Sequence, residues 1–126
     1  MKKGSERMND YTIRMYQLPV ENERCFLSYN EETKPNIDDY DLIYEMSVPK
    51  EIVDKNKDAF LEKLYFQFNT KHPSDYKGRS LSVSDVVTIS DENESKAYFV
   101  NSFGYKKLSD FEVPDIKKQV KKEIER

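Results

Sequence analysis

The chain has 126 residues, the span of one domain, and its 36% charged against 37% hydrophobic content leans toward disorder, which nine tyrosines and seven phenylalanines oppose. A net charge of −3 gives no electrostatic footprint for nucleic acid, and no apolar run nears the roughly 20 residues of a membrane span. A single cysteine, Cys25, excludes an intramolecular disulfide and a multi-cysteine metal site, and a single histidine, His72, leaves little room for metal or triad chemistry.

Residues 1–10 are polar and read as a flexible lead-in without the apolar core of a signal peptide, so the expected compartment is the cytoplasm. From Tyr11 to Leu18 the chain alternates, with Tyr11, Ile13 and Met15 on one face and Thr12, Arg14 and Tyr16 on the other. That period of two predicts a strand ending at Pro19. Arg24 to Tyr29 is a second, weaker strand candidate, and residues 30–41 read as an acidic loop. Alternation resumes from Tyr40 to Val48, with Leu42, Tyr44 and Met46 on one face. Pro49 breaks it, and a helix is predicted from Ile52 to Asn69, where Val53, Phe60, Leu64 and Phe68 form a stripe of helical period. Pro73 limits that helix.

Ser80 to Asp85 is rich in hydroxyls and predicts a turn or a single helical turn. Val86 to Ile89 is a short β-branched strand, Ser90 to Lys96 a polar hairpin loop, and Ala97 to Asn101 the returning strand. Gly104 suits a bend or bulge. Pro114 opens a predicted C-terminal helix, residues 114–126, with Ile116, Val120 and Ile124 on one stripe and Lys and Glu elsewhere. The expected architecture is α+β: a small, mostly antiparallel sheet with one main helix and a C-terminal helix. Its core is expected to include Ile13, Met15, Leu42, Tyr44, Phe60, Leu64, Val87, Ile89, Phe99 and Phe103.

Few residues suggest chemistry. Ser80 or Ser84 with His72 and Asp85 are the nominal parts of a triad, but no nucleophile-elbow pattern surrounds the serines, and His72 beside Pro73 reads as a helix-end histidine. Asp38, Asp39 and Asp41 lack the spacing and glycine of a calcium loop and read as a solvated acidic turn. Cys25 reads as a small buried hydrophobe. The basic stretch from Lys117 to Arg126 has the stripe of an ordinary surface helix rather than that of a lipid-binding one. Ser80 to Asp85 is the least ordinary segment. It serves either as a structural corner, with Asp85 accepting backbone N–H bonds, or as a contact site on an exposed rim.

The run from Asn69 to Val87, which includes His72-Pro73, Tyr76-Lys77-Gly78-Arg79 and Ser80-Leu81-Ser82-Val83-Ser84-Asp85, resembles the signature of the YodL-like domain family. So does Ala97-Tyr98-Phe99-Val100-Asn101-Ser102-Phe103-Gly104-Tyr105, followed by Phe111. Tyr16-Gln17-Leu18 and the stretch from Asp39 to Tyr44 match its weaker opening part. The likeness covers residues 11–111, and a YodL-like domain is expected over 11–113. Arg79 departs from the histidine that members often carry.

The resemblance implies an origin in Gram-positive bacteria or their plasmids, phages and conjugative elements. There such domains sit within large proteins associated with the establishment of incoming DNA. The stand-alone namesake is associated with rod-shape control through the actin-like MreB filament. No catalytic residues, metal or cofactor carry over.

The function expected is therefore a non-catalytic protein-interaction module of a bacterium or mobile element, binding a host protein such as MreB or a defence component. Its expected contact residues are Ser80, Leu81, Ser82, Ser84, Asp85, Asn101, Ser102, Phe103 and Gly104. The alternatives are a small hydrolase or nucleotide-modifying enzyme, and a structural accessory domain of mobile-element proteins. Nucleic acid is not an expected partner.

Overall fold

The computed structural model describes residues 9–30, 34–71, 73–102 and 104–108. Residues 1–8 of the lead-in expected over 1–10, His72, Phe103 and the predicted C-terminal helix over 114–126 lie outside them, whereas Asp10, the end of that lead-in, already belongs to the first strand. β1 (Asp10–Gln17) is flanked by β2 (Asp41–Pro49) and β3 (Val86–Ser90). β4 (Ser95–Val100) and β5 (Tyr105–Leu108) complete a five-stranded sheet of order β2-β1-β3-β4-β5, antiparallel at every junction. The chain is therefore α+β.

Two helices follow β2 directly: α1 (Lys50–Lys55) and α2 (Lys57–Thr70). A single helix is expected from the apolar stripe, but Asn56 interrupts it with extended geometry (φ −161°, ψ 95°). Its side chain accepts the Ala59 N–H at 3.1 Å and caps α2. Asparagine stabilises a helix start better than a helix interior, because its short amide competes for backbone donors. The stripe passes over the break, since Val53 of α1 and Leu61, Leu64 and Phe68 of α2 are all buried.

Alternation decides the sheet's two faces. Ile13, Met15, Val87, Ile89, Tyr98 and Val100 face the helices and form the main core with them. Tyr16, Val86, Ala97, Phe99 and Leu108 face the other way and are buried with Leu18, Cys25 and Tyr40 of the β1–β2 connection. That connection, 18–40, ends in one turn of 3-10 helix at Ile37–Asp39. Each buried large side chain contributes about 1.5–3 kcal/mol, so a second apolar layer is a substantial part of the stability of a domain this small.

Three further expectations are corrected. Leu42 is 50% exposed rather than in the core. The register shifts between Met15 and Tyr16, so Tyr44 opposes Met15 while Leu42 opposes Tyr16, and Ile43 is the extra residue. This bulge breaks the period of two and puts Leu42 on the opposite face from Tyr44 and Met46. Arg24 to Tyr29 is no strand: Cys25 donates to the Asn22 carbonyl and Leu27 to that of Arg24, each at 3.0 Å, making successive turns. The β3–β4 turn is shorter than Ser90 to Lys96, because the Asp91 carboxyl accepts the Asn93 and Glu94 N–H groups (2.8 and 2.9 Å) and closes it at once. Tyr44 and Phe60 are partly buried and pack on the main core.

Candidate functional site

Ser80 to Asp85 leads from the end of α2 into β3. Leu81 is fully buried and its N–H donates to the Phe68 carbonyl at 3.3 Å, while Asn69 Nδ2 donates to the Leu81 carbonyl at 2.7 Å. This anchors the segment to the last turn of α2. Asp85 has no solvent exposure, and its carboxyl accepts the Ser82 N–H at 2.7 Å and Gln17 Nε2 at 3.0 Å. Arg79 Nη1 lies 3.4 Å from its other oxygen. Burial pushes the Asp85 carboxyl up from 3.8 to about 6; the Ser82 N–H, Gln17 and Arg79 pull in the other direction. Desolvation disfavours the charged form more than these partners favour it. Burial likewise raises the neighbouring Tyr76 to about 12.

Arg79 also donates to the Leu18 carbonyl, approaches Cys25 Sγ at 3.3 Å and lies 4.8 Å over the Phe26 ring. It thus ties the buried carboxylate to the 18–30 loop. Ser84, at φ 88°, accepts the Phe26 N–H on its hydroxyl at 2.9 Å and the Tyr40 hydroxyl on its carbonyl at 2.7 Å. The second segment singled out from sequence holds the same loop. Asn101 Oδ1 accepts the Tyr29 N–H at 3.1 Å, and the Ser28 and Ser102 hydroxyls are 2.6 Å apart. The two segments meet through Val100, whose carbonyl accepts from Ser84 and whose N–H donates to Asp85.

The nine expected contact residues divide by accessibility. Leu81, Ser84 and Asp85 are buried, Ser82 and Asn101 half-buried, and Ser80, Ser102 and Gly104 exposed. Gly104 adopts φ 75° in the β4–β5 turn, where Asn101 donates to its carbonyl at 2.9 Å. Phe103 lies outside the described residues.

The loop that these segments cradle presents Val20, Phe26 and Leu27, which are 66%, 51% and 56% exposed. Behind Leu27 is a cleft of about 330 Å³ between the 24–30 and 35–40 stretches. Leu18, Ser84 and Phe99 line it, with Tyr29 and Tyr40 as further aromatic residues and Arg24 and Asp39 as charged ones. The residues Arg24, Phe26, Leu27, Tyr29 and Tyr40 are missed as a site by the sequence reading. Phe26 and Leu27 are adjacent apolar residues beside Asn22 and Arg24, and that break in alternation is the one local signal of a loop crest.

Chemistry has little to work with here. The Asp85 carboxyl is out of reach of a substrate, the Ser84 hydroxyl serves Phe26, and that of Ser82 donates to the Ser80 carbonyl at 2.9 Å. Among the described residues no group of three His, Cys, Asp or Glu side chains could hold a metal ion. No helix among them is long and apolar enough to cross a membrane. In comparisons with known proteins, the YodL-like domain family matches the chain over residues 10–111. No curated protein and no solved structure matches it.

Proposed function

The chain belongs to the YodL-like domain family, and from that premise we propose that it is a non-catalytic module that binds another protein through the Phe26–Leu27 crest and the cleft behind it. The observation that carries this reading is the exposure of three large apolar residues on one loop that is hydrogen-bonded from beneath by Ser84, Asn101 and Ser102. Clustered apolar exposure beside a concave site marks interaction surfaces. A crest fixed before binding loses less entropy on association than a flexible loop does.

The proposed partner is a bacterial cytoplasmic protein. The actin-like filament protein MreB comes first and a host-defence component second, with the chain acting in a bacterium or a mobile element. The test is co-sedimentation of the full chain with purified MreB filaments, alongside Phe26→Ser and Leu27→Asp variants. The wild type is expected to pellet with the filaments and the variants to stay in the supernatant. Wild-type protein that stays in the supernatant removes MreB as the partner. Pelleting that both substitutions leave intact removes the crest as the surface.

A further inference from the structure

Among the described residues, no carboxylate pairs with the Arg24 guanidinium at the cleft behind Leu27. Arg24 is half-buried and lines the cleft, yet its guanidinium makes no hydrogen bond or ion pair with any described residue. Every other arginine among the described residues has a carboxylate partner: Arg14 has Glu45 at 3.3 Å, and Arg79 has Asp85 at 3.4 Å. Asp39 also lines the cleft, but it is exposed and makes no ion pair with Arg24. The rest of the lining is largely aromatic and aliphatic, from Leu18, Leu27, Tyr29, Tyr40 and Phe99. At about 330 Å³ the space is at the small end of ligand pockets, which run from roughly 300 to 1,000 Å³.

Resting on the protein-binding reading, we infer that the cleft takes an acidic peptide segment, with one large apolar side chain entering between Tyr29 and Tyr40 and an adjoining carboxylate meeting Arg24. A guanidinium in a partly desolvated apolar setting pairs strongly with a carboxylate, because its planar fork offers two parallel donors. Aromatic anchors next to an arginine are the usual composition of an interface's energetic centre. Asp39 repels a second negative charge, which restricts the segment to a single carboxylate at this point.

The test uses two small probes, N-acetyl-L-phenylalanine and its uncharged amide, titrated into the full chain and followed by amide chemical shifts. The acid is expected to shift Leu27, Tyr29, Ser84 and Phe99 and to bind about fivefold more tightly than the amide, as for a charge-assisted pair at a half-exposed site. Arg24→Gln is expected to bring the two probes together in affinity, and Arg24→Lys to keep part of the difference. The side chain of Arg24 contributes no described bond to the fold, so both variants are expected to melt with the wild type. Equal affinities in the wild type, a preference that survives Arg24→Gln, shifts confined to other residues, or no binding of either probe each overturn the inference. If the charge preference is absent while filament pelleting depends on Leu27, the acidic-segment inference fails and the protein-binding reading stands. If pelleting fails while the charge preference holds, the reverse is true.

Discussion

The Ser84 hydroxyl accepts the Phe26 N–H at 2.9 Å, and both residues have positive φ, 88° and 72°. Two non-glycine residues in the left-handed region, each costing about 1–2 kcal/mol, hold each other in place across 58 positions of sequence. This contact fixes the apolar crest to the β3 corner.

Ser84→Ala removes the acceptor and leaves the Phe26 N–H to find water. A loss of about 1–2 kcal/mol is expected, read as a lower denaturant midpoint with an unchanged slope. Phe26→Gly relieves the φ but forfeits the stacking of Arg79 and adds chain entropy, so stability is expected to stay within about 1 kcal/mol of wild type. Phe26→Val places a β-branched residue at positive φ and is expected to destabilise more than either.

Asp85 gives the protein a distinctive pH dependence. Below about pH 3 its carboxyl is largely neutral in the folded and unfolded chains alike, and the full benefit of a raised folded value is present. As the pH rises from 3.8 through 6, the unfolded chain ionises this group first, so the contribution to stability is lost. The melting temperature of the wild type minus that of Asp85→Asn is therefore expected to fall between about pH 4 and pH 7. A difference that rises over that interval contradicts the assignment.

Gly78 is required by space rather than by backbone angle. A Cβ there would lie 2.9 Å from both Gln17 Oε1 and the Tyr76 hydroxyl and would overlap Ile43 Cγ2. Gly78→Ala is expected to cost about 1–3 kcal/mol by overpacking. Gly104 is the opposite case: an added Cβ meets nothing, and only φ 75° opposes it. Gly104→Ala is expected to lower stability by about 1–2 kcal/mol without disturbing the Gln17–Tyr76 contact, which amide and ring chemical shifts distinguish.

Asn56 is expected to act as a cap. Asn56→Ala removes the acceptor for the Ala59 N–H and should cost about 1 kcal/mol. Asn56→Asp keeps the acceptor and is expected to retain most of the stability, by thermal melting.

Much of the fold was legible in local pattern. Ile13 and Met15, Val87 and Ile89, and the stripe through Leu64 and Phe68 each bury the side that their period predicts. The failures came where a distant partner decides the backbone. Nothing near Ile43 announces the bulge, which exists because Tyr16 and Met15 pair out of step with β2. Asn56 sits among lysines and aspartates that suit a wet helix face, so its capping role is visible only once Ala59 is seen to need an acceptor. β5 has no apolar alternation to announce it, because Lys106 and Lys107 occupy its centre; such charge is common on an edge strand. The candidate site was half legible. Ser84, Asp85, Asn101 and Ser102 stand out in sequence, but as supports they identify the loop above them only through their long-range hydrogen bonds to Phe26, Ser28 and Tyr29.

The strand order also sets a sequence of assembly. β3, β4 and β5 pair with their immediate neighbours in the chain, whereas Ile13 of β1 must find Ile89 of β3 across more than half of it. Contacts that close long loops form late, because the chain entropy is lost before the contact can compensate. The cleft is lined by Leu18 from the early part of the chain and by Ser84 and Phe99 from the late part. β1–β3 pairing brings these residues together, so a nascent or partly unfolded chain is expected to expose apolar surface without this cleft, and the binding proposed for it would require the completed sheet.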